Sequence, residues 1–307
     1  NGIYDTLPIA GKSLELTLDE GLQTYGEMLM ECKRGSIVAI EPKTGEILAL
    51  VSAPSYDPNL LVGRKRSENY TLLYNDSIAK PLFDRALLAE YPPGSTFKPF
   101  TALLGLKEGV MTPQSLVSCS GGYHYGSRTM KCHHHASPLD MAHAIANSCN
   151  AYFAVEYRKI IEKYKSPSQG ITAWNEDLKS FGFGTFLGSD FPIGRKGYIP
   201  DAAFYNKQYG ENAWAATYNI SNGIGQGEVL VTPLQLANGV AAIANKGYFY
   251  TPHIVRKIDG KTTPFSQFTE AKQTHIDPKY FDAILQGMHM AYTGGTARGT
   301  QIDLSLI

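Results

Sequence analysis

Tyr91-Pro92-Pro93-Gly94-Ser95-Thr96-Phe97-Lys98-Pro99-Phe100 is the stretch on which the reading of the chain turns. Pro92, Pro93 and Gly94 set a rigid turn, and the apolar positions Phe97, Phe100 and Leu104, closing near Gly109, predict a helix that begins at about Ser95. Pro99 does not break such a helix, because the amides of its first turn have no carbonyl partner inside it. Ser95 and Lys98 then lie one turn apart on one face. A serine hydroxyl is a weak nucleophile until a base takes its proton, and a lysine serves as that base once burial or nearby positive charge lowers its pKa. The helix N-terminus adds partial positive charge where an oxyanion would develop. Ser-x-x-Lys alone says little, since it arises by chance on the order of once in a chain of this length; the turn and the helix start give it weight.

Outward from that box the chain alternates between sheet and helix. Leu14-Glu15-Leu16-Thr17-Leu18 has a period of two and precedes a helical stretch over residues 19–30. Residues 36–40 and 46–51 are β-rich and joined by Glu41-Pro42-Lys43-Thr44-Gly45, which predicts a hairpin. Residues 53–82 show no steady period and are expected to leave the sheet. Helical spacing marks residues 95–108, 139–147 and 151–164, and later 233–244 and 278–292, with a strand expected over 248–257. The expected fold is therefore α/β (α+β): an antiparallel sheet flanked by helices, with strands from both ends of the chain and a helical subdomain between them. One domain over 1–307 is anticipated, with a sheet part at about 14–60 and 200–307, a helical insertion at about 83–200, and the site in the groove between them.

Composition narrows the function. The 307 residues are 43% apolar, enough to fill a core, and read as a soluble globular protein. Lys plus Arg equal Asp plus Glu at 28 each, which argues against nucleic acid as a partner. No apolar run approaches the ~20 residues of a membrane span, and no signal-like segment opens the chain. Asn1-Gly2-Ile3 and Leu306-Ile307 both read as cut ends, so the chain is expected to be truncated on both sides.

The run Tyr91 to Lys98, together with Leu16-Thr17-Leu18-Asp19, Pro42-Lys43-Thr44-Gly45-Glu46-Ile47-Leu48-Ala49, Pro54-Ser55-Tyr56-Asp57-Pro58-Asn59 and Gly223-Ile224-Gly225-Gln226-Gly227, resembles the class B penicillin-binding proteins, most of all their elongation type. The resemblance covers nearly the whole chain. It implies a penicillin-binding protein/serine β-lactamase-like fold and a peptidoglycan D,D-transpeptidase that acylates Ser95 with D-Ala-D-Ala stem peptides, is blocked by β-lactams and needs no cofactor for catalysis. It implies further a periplasmic domain of a protein anchored in the bacterial inner membrane, working beside a membrane glycan polymerase.

Ser148-Cys149-Asn150 matches the family's second box. By that resemblance Ser148 passes a proton between Lys98 and the leaving amine, and Asn150 holds the substrate's peptide amide. Taken alone the triplet is an ordinary turn or cap. Lys43-Thr44-Gly45 copies the third box but lies in the front hairpin ahead of the nucleophile, where it is a decoy. Gly294-Gly295-Thr296-Ala297-Arg298 corresponds to the stretch shortly before that box, so the box itself is expected to be missing and the fragment impaired.

Cys119, Cys132, His133, His134, His135 and Cys149 gather thiols and imidazoles in one short region. Since Ser148 and Asn150 must face the cleft, Cys149 should point back into the insertion. A structural Zn²⁺ held by Cys119, Cys132, His135 and Cys149 is one reading; a Cys119–Cys132 disulfide and inert thiols are the others. Cys32 reads as a core residue. Two further functions remain open beside the transpeptidase: a D,D-carboxypeptidase or β-lactamase that sends the acyl-enzyme to water, and a non-catalytic β-lactam sensor.

Overall fold

The computed structural model describes residues 9–262 and 265–302, so both expected cut ends, Asn1-Gly2-Ile3 and Leu306-Ile307, lie outside the described residues. Strand β1 (Leu14–Leu16) leads into α1 (Glu20–Leu29), capped where the Asp19 carboxylate accepts from the Leu22 amide. Strands β2 (Gly35–Ile40) and β3 (Ile47–Ala53) form the expected antiparallel hairpin. In β3 the residues alternate between buried and half-buried, so Ile47, Ala49, Val51 and Ala53 face the core. After α2 (Arg66–Asn75) and the short α3 (Arg85–Leu88), the chain reaches α4 (Lys98–Lys107). The helical part continues through the hairpin β4 (Gly122–Tyr125) and β5 (Arg128–Lys131), α5 (Met141–Ala146), α6 (Asn150–Glu162), α7 (Pro167–Ser180) and α8 (Ala202–Tyr209). It returns by α9 (Pro233–Ala244), β6 (Tyr248–Phe249), β7 (Val255–Ile258), β8 (Lys261–Thr262), β9 (Lys272–Gln273) and α10 (Phe281–Thr293).

Strands from the two ends do meet: β1 pairs antiparallel with β7, and β7 with β8. This sheet joins the β2–β3 hairpin through single contacts, the Asp19 amide on the Leu48 carbonyl and the Ile47 amide on the His253 carbonyl. The expected strand over 248–257 is in fact two, β6 and β7. Pro252 lies between them with no amide to give a ladder, and the segment crosses from β9 to β1. Residues 53–82 hold a helix that periodicity did not announce. None of α2 is buried, so its sequence carries no apolar stripe. Helix α7 was also missed, although Ser166 caps it, Pro167 opens it, and Ile171, Trp174 and Leu178 form its buried face.

The core that positions the site is aromatic. Phe97, Phe100, Trp174, Phe181 and Phe183 are buried together, with Phe100 edge-on to Phe183 at 4.9 Å between centroids. Edge-to-face geometry of this kind adds about 0.5–1.5 kcal/mol per pair beyond burial. Two of these rings, Phe97 and Phe100, belong to the box itself, so the core locks the turn that carries Ser95.

Candidate active site

Helix α4 does not begin at Ser95 as its spacing suggested. Gly94–Phe97 forms a tight 3-10 turn and the α-helix starts at Lys98: Pro99 has no amide to give the Ser95 carbonyl, which takes the Lys98 amide instead, while the Gly94 amide is held by the Gly225 carbonyl at 2.7 Å. The result still puts Ser95 in solvent and Lys98 inside, 1% exposed. Lys98 Nζ donates to the Ser148 carbonyl at 2.7 Å, to Ser148 Oγ at 2.8 Å and to Asn150 Oδ1 at 2.6 Å. Ser148 Oγ in turn donates to Ser95 Oγ at 2.8 Å. Four side chains drawn from two boxes fifty residues apart thus form one chain of hydrogen bonds. Lys98 reaches Ser95 through Ser148, a relay that spacing alone could not reveal.

Burial lowers the Lys98 ammonium to about 8, against the opposing pull of Cys149 and Cys132 were they ionised. Ser148 has φ +53, a left-handed conformation that non-glycine residues rarely take. That kink turns Ser148 and Asn150 toward Lys98 while Cys149 between them is buried at 1% exposure. Asn150 is not idle on its other side, since its Nδ2 donates to the Lys131 carbonyl at the end of β5 at 2.8 Å.

The loop Gly223-Ile224-Gly225-Gln226-Gly227, known at the sequence level only by resemblance, backs this turn. Thr101 Oγ1 donates to the Gly223 carbonyl at 2.9 Å, and Gly225, at φ +68, leaves no room for a side chain: a Cβ there would lie 2.4 Å from the Gly94 carbonyl oxygen. Behind the loop, Asn222 Nδ2 donates to the Tyr205 hydroxyl, which donates to Glu228 Oε2. Lys43-Thr44-Gly45 lies in the turn between β2 and β3, against Tyr250 and Thr251, and takes no part in the relay.

Cys119, Cys132, His135 and Cys149 come together behind the second box, their candidate ligand atoms all within 4.8 Å of one another. The four cysteines are free thiols, Cys132 Sγ lying 4.0 Å from Cys149 Sγ. Burial raises the Cys132 thiol and pushes Cys149 up to about 12. His133 and His134 are exposed, whereas His135 is half-buried. Cys32 is exposed, not a core residue, because it sits at φ +58 just past the end of α1 instead of on its inner face.

A solvent-reachable serine, a buried lysine of lowered pKa and a bridging hydroxyl are the parts that serine acyl transfer requires. The profile of the penicillin binding protein transpeptidase domain matches residues 35–306, and the chain belongs to that family. It is 38% identical over 264 residues to the peptidoglycan D,D-transpeptidase MrdA of Acinetobacter baumannii, covering 84% of this chain and 37% of that protein. To its counterpart in Escherichia coli K12 it is 34% identical over 290 residues, covering 92% and 44%. Among solved structures, Pseudomonas aeruginosa PBP2 in complex with WCK 5153 superimposes with a TM-score of 0.82 at 35% identity over 95% of this chain and 65% of that one. Helicobacter pylori PBP2 gives 0.81 at 28% identity, over 96% and 53%. The chain therefore spans roughly two-fifths of the length of these curated relatives.

Proposed function

We propose that this chain is the acyl-transfer domain of a peptidoglycan D,D-transpeptidase that cross-links D-Ala-D-Ala stem peptides during cell-wall elongation. The observation that carries the reading is the unbroken relay Ser95–Ser148–Lys98–Asn150 in one cleft. Ser95 Oγ attacks the carbonyl of the penultimate D-Ala, and its proton passes through Ser148 to neutral Lys98. The C–N bond then breaks as the leaving D-Ala amine takes that proton back by the same route. An acceptor amine attacks the ester, forming the new amide and restoring Ser95. A pKa of about 8 suits this task, since about a tenth of Lys98 is neutral at pH 7 and the rest lies within easy reach. Asn150, held by Lys131 and Lys98, is placed to receive the donor's peptide amide.

β-Lactams would enter by the same acylation. One relative, Helicobacter pylori PBP2, has been solved in complex with MreC, and another neighbour belongs to a peptidoglycan synthase complex that couples polymerization to cross-linking. By that likeness we assign this domain to the periplasmic side of a membrane-anchored protein beside a glycan polymerase; among the described residues no helix is long and apolar enough to cross a membrane.

The Cys–His cluster is assigned to a structural zinc ion with Cys119, Cys132, His135 and Cys149 as ligands. Three sulfurs and one imidazole are the donor set of a closed structural site. His135 fits the role: its Nδ1 lies 2.7 Å from the Ala136 carbonyl, while its Nε2 is buried with no partner among the described residues. Cys149 stands at the N-cap of α6, where sulfur accepts from the Tyr152 amide at 3.4 Å, far less well than the Ser or Asp that capping would favour. Coordination gives the thiol a reason that capping does not. The metal would hold the second box from behind and take no part in acyl transfer.

The test of the catalytic reading is Ser95→Ala in the full-length protein. Covalent labelling by a fluorescent penicillin should vanish while the fold is kept, and labelling that persists would move the nucleophile elsewhere. Turnover of the label separates the alternatives: rapid release would mark a β-lactamase.

A further inference from the structure

Two segments that hold the candidate catalytic residues also line a cleft of about 430 Å³, formed by Tyr125, Arg128, Tyr209, Thr217 and Tyr218 with the hairpin turn Gly126-Ser127. One wall is the β4–β5 hairpin, whose last residue, Lys131, is bonded to Asn150. The other is the segment from Ala216 to Gly225, whose far end holds the Gly94 amide beside Ser95. The cleft is thus tied to both boxes by hydrogen bonds.

Its chemistry is specific. Tyr209 and Tyr218 meet edge to face at 5.1 Å and are both exposed, and Tyr125 is backed by Tyr123 in a stack at 5.9 Å. Arg158 fixes that stack from behind by donating to the Tyr123 hydroxyl. The Arg128 side chain is exposed, has no hydrogen-bond or ion-pair partner among the described residues, and faces a cleft that no carboxylate lines. Tyrosine faces beside a free guanidinium offer an apolar wall for extended peptide and a forked donor for one carboxylate.

We infer that this cleft is a subsite for a carboxylate-bearing residue of the stem peptide, read by Arg128 and walled by Tyr125, Tyr209 and Tyr218. The inference rests on the transpeptidase reading above and names what that site recognises beyond the reacting bond. Distance sets the position. From Lys131 back to Arg128 is three residues of β strand, about 10 Å at ~3.3 Å per residue, and an extended substrate advances by nearly the same step. A donor whose amide is held at Asn150 therefore brings to Arg128 a residue about three places before the scissile bond.

The experiment uses full-length protein carrying Ser95→Ala, so that no turnover consumes the probe. It is titrated with a capped pentapeptide ending in D-Ala-D-Ala with one free carboxylate at its second residue, and with the same peptide amidated there. Amidation should weaken binding about fivefold, the scale of a well-formed exposed pair. Arg128→Ala should weaken the acid peptide by the same factor and leave the amidated one unchanged, while Tyr218→Ala weakens both. Penicillin acylation of protein with Ser95 intact and Arg128→Ala should match the wild type, a penicillin being too short to span the distance. No measurable binding of the acid peptide, or an Arg128→Ala effect equal for both peptides, would overturn the subsite. The underlying reading fails separately: protein that takes up penicillin at Ser95 but releases no D-alanine from either peptide is no transpeptidase, and the affinities stay readable in that case.

Discussion

Replacing Glu156 by glutamine should alter the pH dependence of stability more than stability at any one pH. The side chain lies on α6, is 0% exposed, and neither carboxyl oxygen has a hydrogen-bond partner among the described residues. It fills the space beside Gly105 on α4, where a Cβ would come within 2.0 Å of Oε1. Burial raises this carboxyl well above its ordinary 4.5, with only Lys159 pulling the other way. A group whose folded pKa is raised holds its proton more tightly when folded. Its contribution is fully present below pH 4.5, where both states are protonated, and is lost as pH rises, because the unfolded chain ionises while the buried carboxyl does not. Over any pH range in which the folded carboxyl keeps a proton that the unfolded chain has lost, stability falls by about 1.4 kcal/mol per pH unit. Glutamine has no proton to hold. The cost of its extra N–H donor is the same at every pH and cancels when two pH values are compared. Urea unfolding followed by tryptophan fluorescence suits the test, as Trp174 and Trp214 are both buried. Above pH 4.5 the wild type should lose stability relative to Glu156→Gln, with a slope that approaches about 1.4 kcal/mol per pH unit. Parallel stability curves for the two proteins would refute the reasoning and mean that the carboxyl is ionised or wet.

The rate of penicillin acylation should rise about fivefold from pH 7 to pH 8 and level off above pH 9, following deprotonation of Lys98 at about 8; a profile flat over that range would remove Lys98 as the base. Gly225→Ala should cut acylation at least tenfold in protein that still folds, since its Cβ would strike the Gly94 carbonyl and Phe97 at 2.4 and 2.5 Å from a left-handed backbone, and an unchanged rate would show that the loop does not set the nucleophile turn. If the proposed zinc is bound, acid or a chelator should slow acylation although no proposed ligand touches substrate, because Cys149 lies within the Ser148–Asn150 turn. Less than about a tenth of an equivalent of metal after reducing, chelator-free purification, with Cys119 and Cys132 disulfide-bonded in the native protein, would eliminate the site.

What the sequence made legible follows from where each element spends its apolar residues. Strand β3 and helix α9 bury one face each, and their bounds are recovered closely from the sequence. Helix α2 buries nothing, and the break between β6 and β7 is set by which strands the segment must reach. Neither leaves a periodic trace. The 3-10 turn at Gly94–Phe97 leaves none either: inside it the Lys98 amide bonds the Ser95 carbonyl, and a loop 130 residues away holds the Gly94 amide.

The site divides along the same line. The Ser95–Lys98 pair is suggested by residue type, spacing and the turn before it, whereas Ser148 and Asn150 enter only through the family resemblance. Spacing could not order those groups. Whether Lys98 bonds to Ser95 or to Ser148 depends on how far α6 stands from α4, and two features fix that spacing. At one end Lys98 bonds Asn150 at 2.6 Å, and two turns along, the Glu156 carboxyl occupies the notch that Gly105 leaves open. A glycine in mid-helix ordinarily weakens it by roughly 1 kcal/mol, and an unpaired buried acid costs more. Both costs fall on the contact that, together with the Lys98–Asn150 bond, holds α6 at its distance from α4.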